Sequence, residues 1–196
     1  MANEYAELEE LKVGMRRMTS TADDEWLQNA LTRASRAIDR RTGRRFYKDG
    51  AATARVYRTP GNTLWEVWGE TLLVDDISTG SGLVVEGGDG TTWTTLSGIT
   101  TGPDNAIVQG RAIETLTYDN SCLSVYPKVR VTADWGWPAV PDDIVSATLL
   151  LANRRFMRRD SPEGVSGWSQ EGPVRVSRFD PDIEDLVEDY VRDGFA

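Results

Sequence analysis

The apolar residues of this chain recur every three to four positions up to about Phe46. They alternate with a period of two between about Thr53 and Ala133, and return to the helical spacing after Pro141. One element cannot carry both periods, because a helix repeats near 3.6 residues and a strand at two. The switch therefore predicts an α+β chain: a helical core, made of a long N-terminal helix, a central helix and a C-terminal helix, interrupted by an inserted antiparallel β module. The expected boundaries are 1–48 and 136–196 for the helical core and 49–135 for the module. A chain of 196 residues accommodates one domain carrying such an insertion.

Within the first helical stretch, Tyr5, Leu8 and Leu11 predict a short helix over residues 4–18, weakened or ended by Gly14. Thr19-Ser20-Thr21 marks a break, and Asp23-Asp24 opens the next helix, where negative charge suits the dipole. Leu27, Ala30, Leu31, Ala34 and Ile38 form its apolar stripe, arginines lie on the other side, and Gly43 is placed as a left-handed C-cap. After Pro141, a broad apolar face from Ile144 to Phe156 predicts a buried central helix. Residues 165–178 read as a flexible loop or hairpin, and Asp180-Pro181 opens the last helix with Pro at its first position.

The middle of the chain is rich in Thr, Val, Gly and Trp. Expected strands are 53–58, 64–68, 71–77, 83–85, 91–96, 113–118 and 128–133, forming a sheet or barrel-like module. Turn signals separate them at Pro60-Gly61-Asn62, Gly80-Ser81-Gly82, Gly87-Gly88-Asp89-Gly90 and Gly102-Pro103-Asp104-Asn105.

Composition removes several function classes. There is no histidine, and the only cysteine is Cys122. Ser-His-Asp and Cys-His nucleophile pairs, His-ligated zinc and an internal disulfide are thereby excluded. No apolar run approaches the ~20 residues that span a bilayer, and Met1-Ala2-Asn3-Glu4-Tyr5 lacks a signal-peptide pattern. The expectation is a chain folded in a cytoplasm, with no membrane contact, cofactor or metal. Paired carboxylates at Asp23-Asp24 and Asp142-Asp143 lie at helix starts, where the dipole accounts for them. Asp75-Asp76 ends a strand. The glycine-rich segment 87–90 leads into a strand and lacks the Gly-Lys-Ser/Thr of a phosphate loop.

Charge is distributed unevenly. Net charge is −9, yet basic residues gather from Arg33 to Lys48 and again at Arg154, Arg155, Arg158 and Arg159. From Asp180 onward, acids face Arg192 alone. These are either solvated helix faces or surfaces through which copies meet head to tail. Trp168, in a segment with little apolar periodicity, is an interface candidate. So are Arg40, Arg41, Arg154 and Arg155.

Three runs, in this order, carry a resemblance. Ala34-Ser35-Arg36-Ala37-Ile38-Asp39-Arg40-Arg41-Thr42-Gly43-Arg44-Arg45-Phe46-Tyr47 closes the long helix. Val129-Arg130-Val131-Thr132-Ala133-Asp134-Trp135-Gly136-Trp137 leads through Val140-Pro141 into Asp142-Asp143-Ile144-Val145. Arg158-Arg159-Asp160-Ser161-Pro162-Glu163-Gly164-Val165 precedes the final helix. Together they resemble the head–tail connector (adaptor, or head-completion) proteins of long-tailed bacteriophages, in the version with a β insertion. The resemblance implies a non-enzymatic virion protein of the neck, forming a ring of about twelve copies beneath the portal. It also implies an extended DNA channel, through which DNA passes without sequence-specific binding, and a surface for the next stopper or tail-completion protein. The C-terminal segment is implied to reach the portal, through Phe179, Asp180, Pro181, Ile183, Leu186, Tyr190 and Phe195. Another neck or tail-completion role, or a carbohydrate-binding β module, are the alternatives.

Overall fold

A computed structural model describes residues 3–15, 20–67, 69–119, 122–158, 165–169, 172–175 and 181–192, with backbone alone for 165–169 and 172–175. The fold is α+β, with helices at both ends of the chain and antiparallel sheets between them. It divides into two compact units: residues 1–44 with 140–196, and residues 45–139.

The helical unit contains α1 (Leu8–Gly14), α2 (Asp24–Thr42), α3 (Asp142–Met157) and α4 (Pro181–Glu188). α2 ends where its sequence says it should: Gly43 takes φ 69° and its N–H reaches Asp39 O at 2.9 Å, a left-handed cap that a Cβ would strain. Leu27, Ala30, Leu31 and Ala34 of α2 pack with Ala152 and Phe156 of α3 and with Leu11 of α1. Leu27 and Leu31 are fully buried, each contributing about 1.5–3 kcal/mol of transfer free energy. The alanines let α2 and α3 approach closely. α1 is shorter than its periodicity predicts. Tyr5 precedes the helix and is buried instead by tertiary bonds: its N–H donates to Ser35 Oγ at 3.1 Å, and its hydroxyl to Asp39. β9 (Val165–Ser169) and β10 (Gly172–Arg175) pair antiparallel, with Trp168 opposite Pro173.

The other unit is a sandwich of two four-stranded antiparallel sheets. One has the order β1-β8-β4-β5 and the other β2-β3-β7-β6. Their strands are β1 (Thr53–Arg58), β2 (Thr63–Glu66), β3 (Gly69–Ile77), β4 (Val84–Gly88), β5 (Trp93–Thr95), β6 (Ile99–Gly102), β7 (Ile113–Asp119) and β8 (Lys128–Ala133). β8 alternates as its sequence predicts, burying Val129, Val131 and Ala133. These meet Val85 from the same sheet and Leu72, Val74, Ile77, Ile113 and Leu116 from the other in one core.

Three details differ from the sequence expectation. β6 is absent from the expected strands because Ile99-Thr100-Thr101-Gly102 holds one large apolar residue; pairing with β7 at Thr100↔Thr117 makes it a strand. Gly87 and Gly88 belong to β4, and the turn begins at Asp89. Gly87 serves close packing there, since a Cβ would lie 2.5 Å from the Tyr126 ring. The strand expected over 91–96 shortens to β5, because Asp89 accepts hydrogen bonds from the Thr91 and Thr92 N–H groups at 2.7 and 2.8 Å and extends the turn.

Candidate functional site

Each carboxylate pair is engaged in structure. Asp24 lies 2.6 Å from Lys12 Nζ, which raises the lysine's pKa, chiefly through that hydrogen bond. Asp143 accepts from the Tyr190 hydroxyl at 3.1 Å. Asp75 accepts from Arg55 Nη1 at 2.8 Å and from Tyr57 at 3.0 Å, and Asp76 from Trp137 Nε1 at 3.1 Å. Burial of Tyr57 is the main reason its phenol is pushed well above the ordinary range. Arg55 also lies 4.2 Å over the Trp135 ring, and Phe46 meets Trp137 at 5.1 Å between ring centres. Gly136, between these two tryptophans, has φ 107°, and a Cβ on it would meet Tyr47 O at 2.0 Å. The Trp135-Gly136-Trp137 motif is thus a packing centre of the β unit.

Cys122 is half-buried. Its thiol donates to Glu70 Oε2 at 3.3 Å and lies 2.7 Å from Ser124 Oγ. Among the described residues, no group of three or more His, Cys, Asp or Glu side chains is placed to hold a metal ion. No helix among them is long and apolar enough to cross a membrane.

The feature with chemical potential is a cleft of about 420 Å³ in the helical unit. Its apolar wall comes from Ala37 and Ile38 of α2, Leu151 of α3, and Ile183 and Val187 of α4. Arg40, Arg41, Arg154, Arg155 and Arg158 supply the polar wall. Helix ends explain this clustering. Arg40-Arg41 and Arg154-Arg155 occupy the last turns of α2 and α3, where positive charge offsets the helix dipole.

The arginines differ in what they meet. Arg41 donates to Glu184 Oε1 through Nη2 at 3.1 Å and Nε at 3.3 Å. Both partners are more than two-fifths exposed, so the pair is worth ~0–1 kcal/mol. Arg155 forms no ion pair or hydrogen bond among the described residues. Burial first, and then the charges of Arg40 and Arg33, hold its pKa below the ordinary arginine value. It remains charged nonetheless. A half-buried guanidinium facing like charge is a group whose energy falls when an anion arrives.

The four interface arginines predicted from sequence therefore share one cleft. Arg158 and the apolar wall complete it, and only tertiary packing brings these segments together. Ile183 is buried in the cleft wall, Leu186 and Tyr190 are half-buried, and Pro181 is exposed. Phe179, Asp180 and Phe195 lie outside the described residues, as does the side chain of Trp168.

The cleft thus joins an arginine rim to an apolar wall. The chain is similar in fold to one from the neck of an empty gene transfer agent (GTA) particle computed with C6 symmetry. The TM-score is 0.56, with 19% identity, over 98% of this chain and 92% of that one. It is also similar to a chain of the virion of the native GTA particle, with TM-score 0.53 and 19% identity over the same shares. At such identity the likeness is one of fold. No protein-family model and no curated protein sequence matches the chain.

Proposed function

We propose that this protein is a structural, non-catalytic subunit of the neck of a phage-like particle. In this reading it is a head–tail connector whose copies form a ring between the portal and the next neck protein, extending the DNA channel. The observation that carries the proposal is a fold likeness to a neck chain spanning 98% of this sequence. Likeness of that extent takes in both units and is not confined to a common β sandwich. The six-fold symmetry used for that neck admits twelve copies as well as six. A net charge of −9 suits a conduit, because a lining that held phosphates tightly would impede passage of DNA.

The portal contact is assigned to the C-terminal segment. Ile183 and Val187 are seated against α2 and α3, so docking them on another protein requires α4 to leave that seat. The contact therefore falls first to exposed Pro181 and to the flanking Phe179, Asp180 and Phe195. The test is to delete the gene from the producing genome and to image particles carrying a labelled copy. Deletion is expected to give DNA-filled heads without tails, and the label a ring at the neck. One copy per neck, or tailed particles after deletion, would reject the connector. Failure to bind the purified portal would favour a neck or tail-completion protein further from the head.

A further inference from the structure

We infer that the arginine cleft of one copy receives the acidic outer face of α4 from the next copy, making a head-to-tail contact that is incomplete within a single chain. The inference deepens the ring reading above, on which it rests, by naming the two surfaces that meet. Three arginines of the helical unit, Arg33, Arg40 and Arg155, form no ion pair among the described residues. Arg40 and Arg155 line the cleft, and Arg33 is close enough to Arg155 to lower its pKa. Asp185, Glu188 and Asp189 likewise form none. They are exposed: Asp185 and Glu188 on the side of α4 away from buried Ile183 and Val187, and Asp189 just beyond its end.

The two sets cannot meet in one chain. α4 is itself a wall of the cleft, seated through Ile183 and Val187; Glu184 meets Arg41 at its rim, while Asp185, Glu188 and Asp189 are exposed on the far side. They belong to a different face of the same compact unit, which makes the contact heterologous. Repetition of such a contact closes a ring when the rotation allows. Arg33 and Arg40 stand two turns apart, about 10 Å, and Asp185 and Asp189 about one turn apart, about 6 Å. Exposed ion pairs add little by themselves. Exposed apolar area on the same helix as Arg155 is present in Leu150 and Met157, 46% and 67% exposed.

A second copy fits this cleft better than a DNA duplex. The chain as a whole repels polyanions, and its own acids supply the complement.

Charge reversal tests the contact. The full chain is prepared as Arg40→Glu/Arg155→Glu, as Asp185→Lys/Asp189→Lys, and as the fourfold variant. Association is measured by sedimentation at low ionic strength, with circular dichroism to verify folding. Each double variant is expected to self-associate about 10- to 100-fold more weakly than the parent. An equimolar mixture of the two, and the fourfold variant alone, should recover association, because both restore opposite charges across the contact. A folded parent that stays monomeric at low salt, or reversals without recovery, overturns the inference. So does loss of retention on duplex DNA, rather than of self-association, in the Arg40→Glu/Arg155→Glu variant. The two readings fail separately. A connector with a different lateral contact would still be found at the neck, while reversal left association unchanged. A correct contact in a protein that is not a connector would show recovery on mixing, yet no neck label.

Discussion

Arg130 in the β unit and Arg155 in the helical unit are both half-buried arginines on regular elements, and their surroundings are opposite. Arg130 makes a two-pronged contact with Glu86, Nε to Oε2 at 2.7 Å and Nη2 to Oε1 at 2.8 Å, and lies 4.6 Å over the Trp93 ring. The Glu86 hydrogen bonds are the main reason its pKa is raised. Arg155 has no carboxylate partner among the described residues, and burial beside Arg40 and Arg33 lowers its pKa. The sandwich thus completes the electrostatics of its half-buried cation with its own residues. The helical unit leaves its cation incomplete, beside an apolar wall. The difference separates a cation satisfied within its own unit from one on which the proposed contact between copies rests.

Core deletions are the strongest way to break this comparison, because it assumes that both units rest on apolar packing to a similar degree. Leu31→Ala in the helical unit and Leu116→Ala in the sandwich each remove a fully buried side chain. Each should cost about 2–5 kcal/mol in denaturant unfolding. If either costs under about 1 kcal/mol, that unit is held by something other than its core. Next in size is Gly136→Ala. The positive φ and the approach to Tyr47 O combine backbone strain with overpacking, for about 2–4 kcal/mol. The loss should register in the sandwich, read by tryptophan fluorescence.

The arginines themselves give a smaller, signed test. Glu86→Gln should lower the melting temperature, because it leaves Arg130 without its anion. Arg155→Met should leave it unchanged or raise it slightly, since a half-buried charge beside like charges is replaced by an apolar side chain. Equal losses in both variants would erase the contrast. The smallest effect concerns pH. Asp89 is depressed to about 2 by hydrogen bonds from the Thr92 and Thr91 N–H groups. A lowered folded-state pKa stabilises above the unfolded value of 3.8, and the contribution disappears as pH falls through about 2. Hydrogen exchange at Thr91 and Thr92 should rise over that interval relative to the intrinsic rate. Unchanged protection would show that the turn does not depend on the anion.

Much of the architecture was legible in local pattern. The switch of period marked the α+β class, and Gly43 marked the end of α2. Lys128–Ala133 announced its strand by strict alternation, and Pro181 the first position of α4. Where the local pattern was weak, reading failed: β6 has too few apolar residues to show a period, and Gly87 looked like a turn because only the Tyr126 ring explains it. The basic and acidic clusters were visible as composition, but not which of their members were left without partners.

The sequence by itself determined the class of fold, the helix ends and the absence of histidine chemistry, because these depend on residue type and on spacing over a few positions. Tertiary structure alone decided which strands pair, such as β1 with β8 across some seventy intervening residues. It also decided that Ile183 and Val187 seat α4 on its own unit, and that Arg40 and Arg155 share a cleft while Asp185 and Asp189 face away. The reason is that charge becomes functional through distance and burial. A guanidinium beside a carboxylate and one beside two other guanidinium groups are the same letter in the sequence, and only packing of distant segments makes them different.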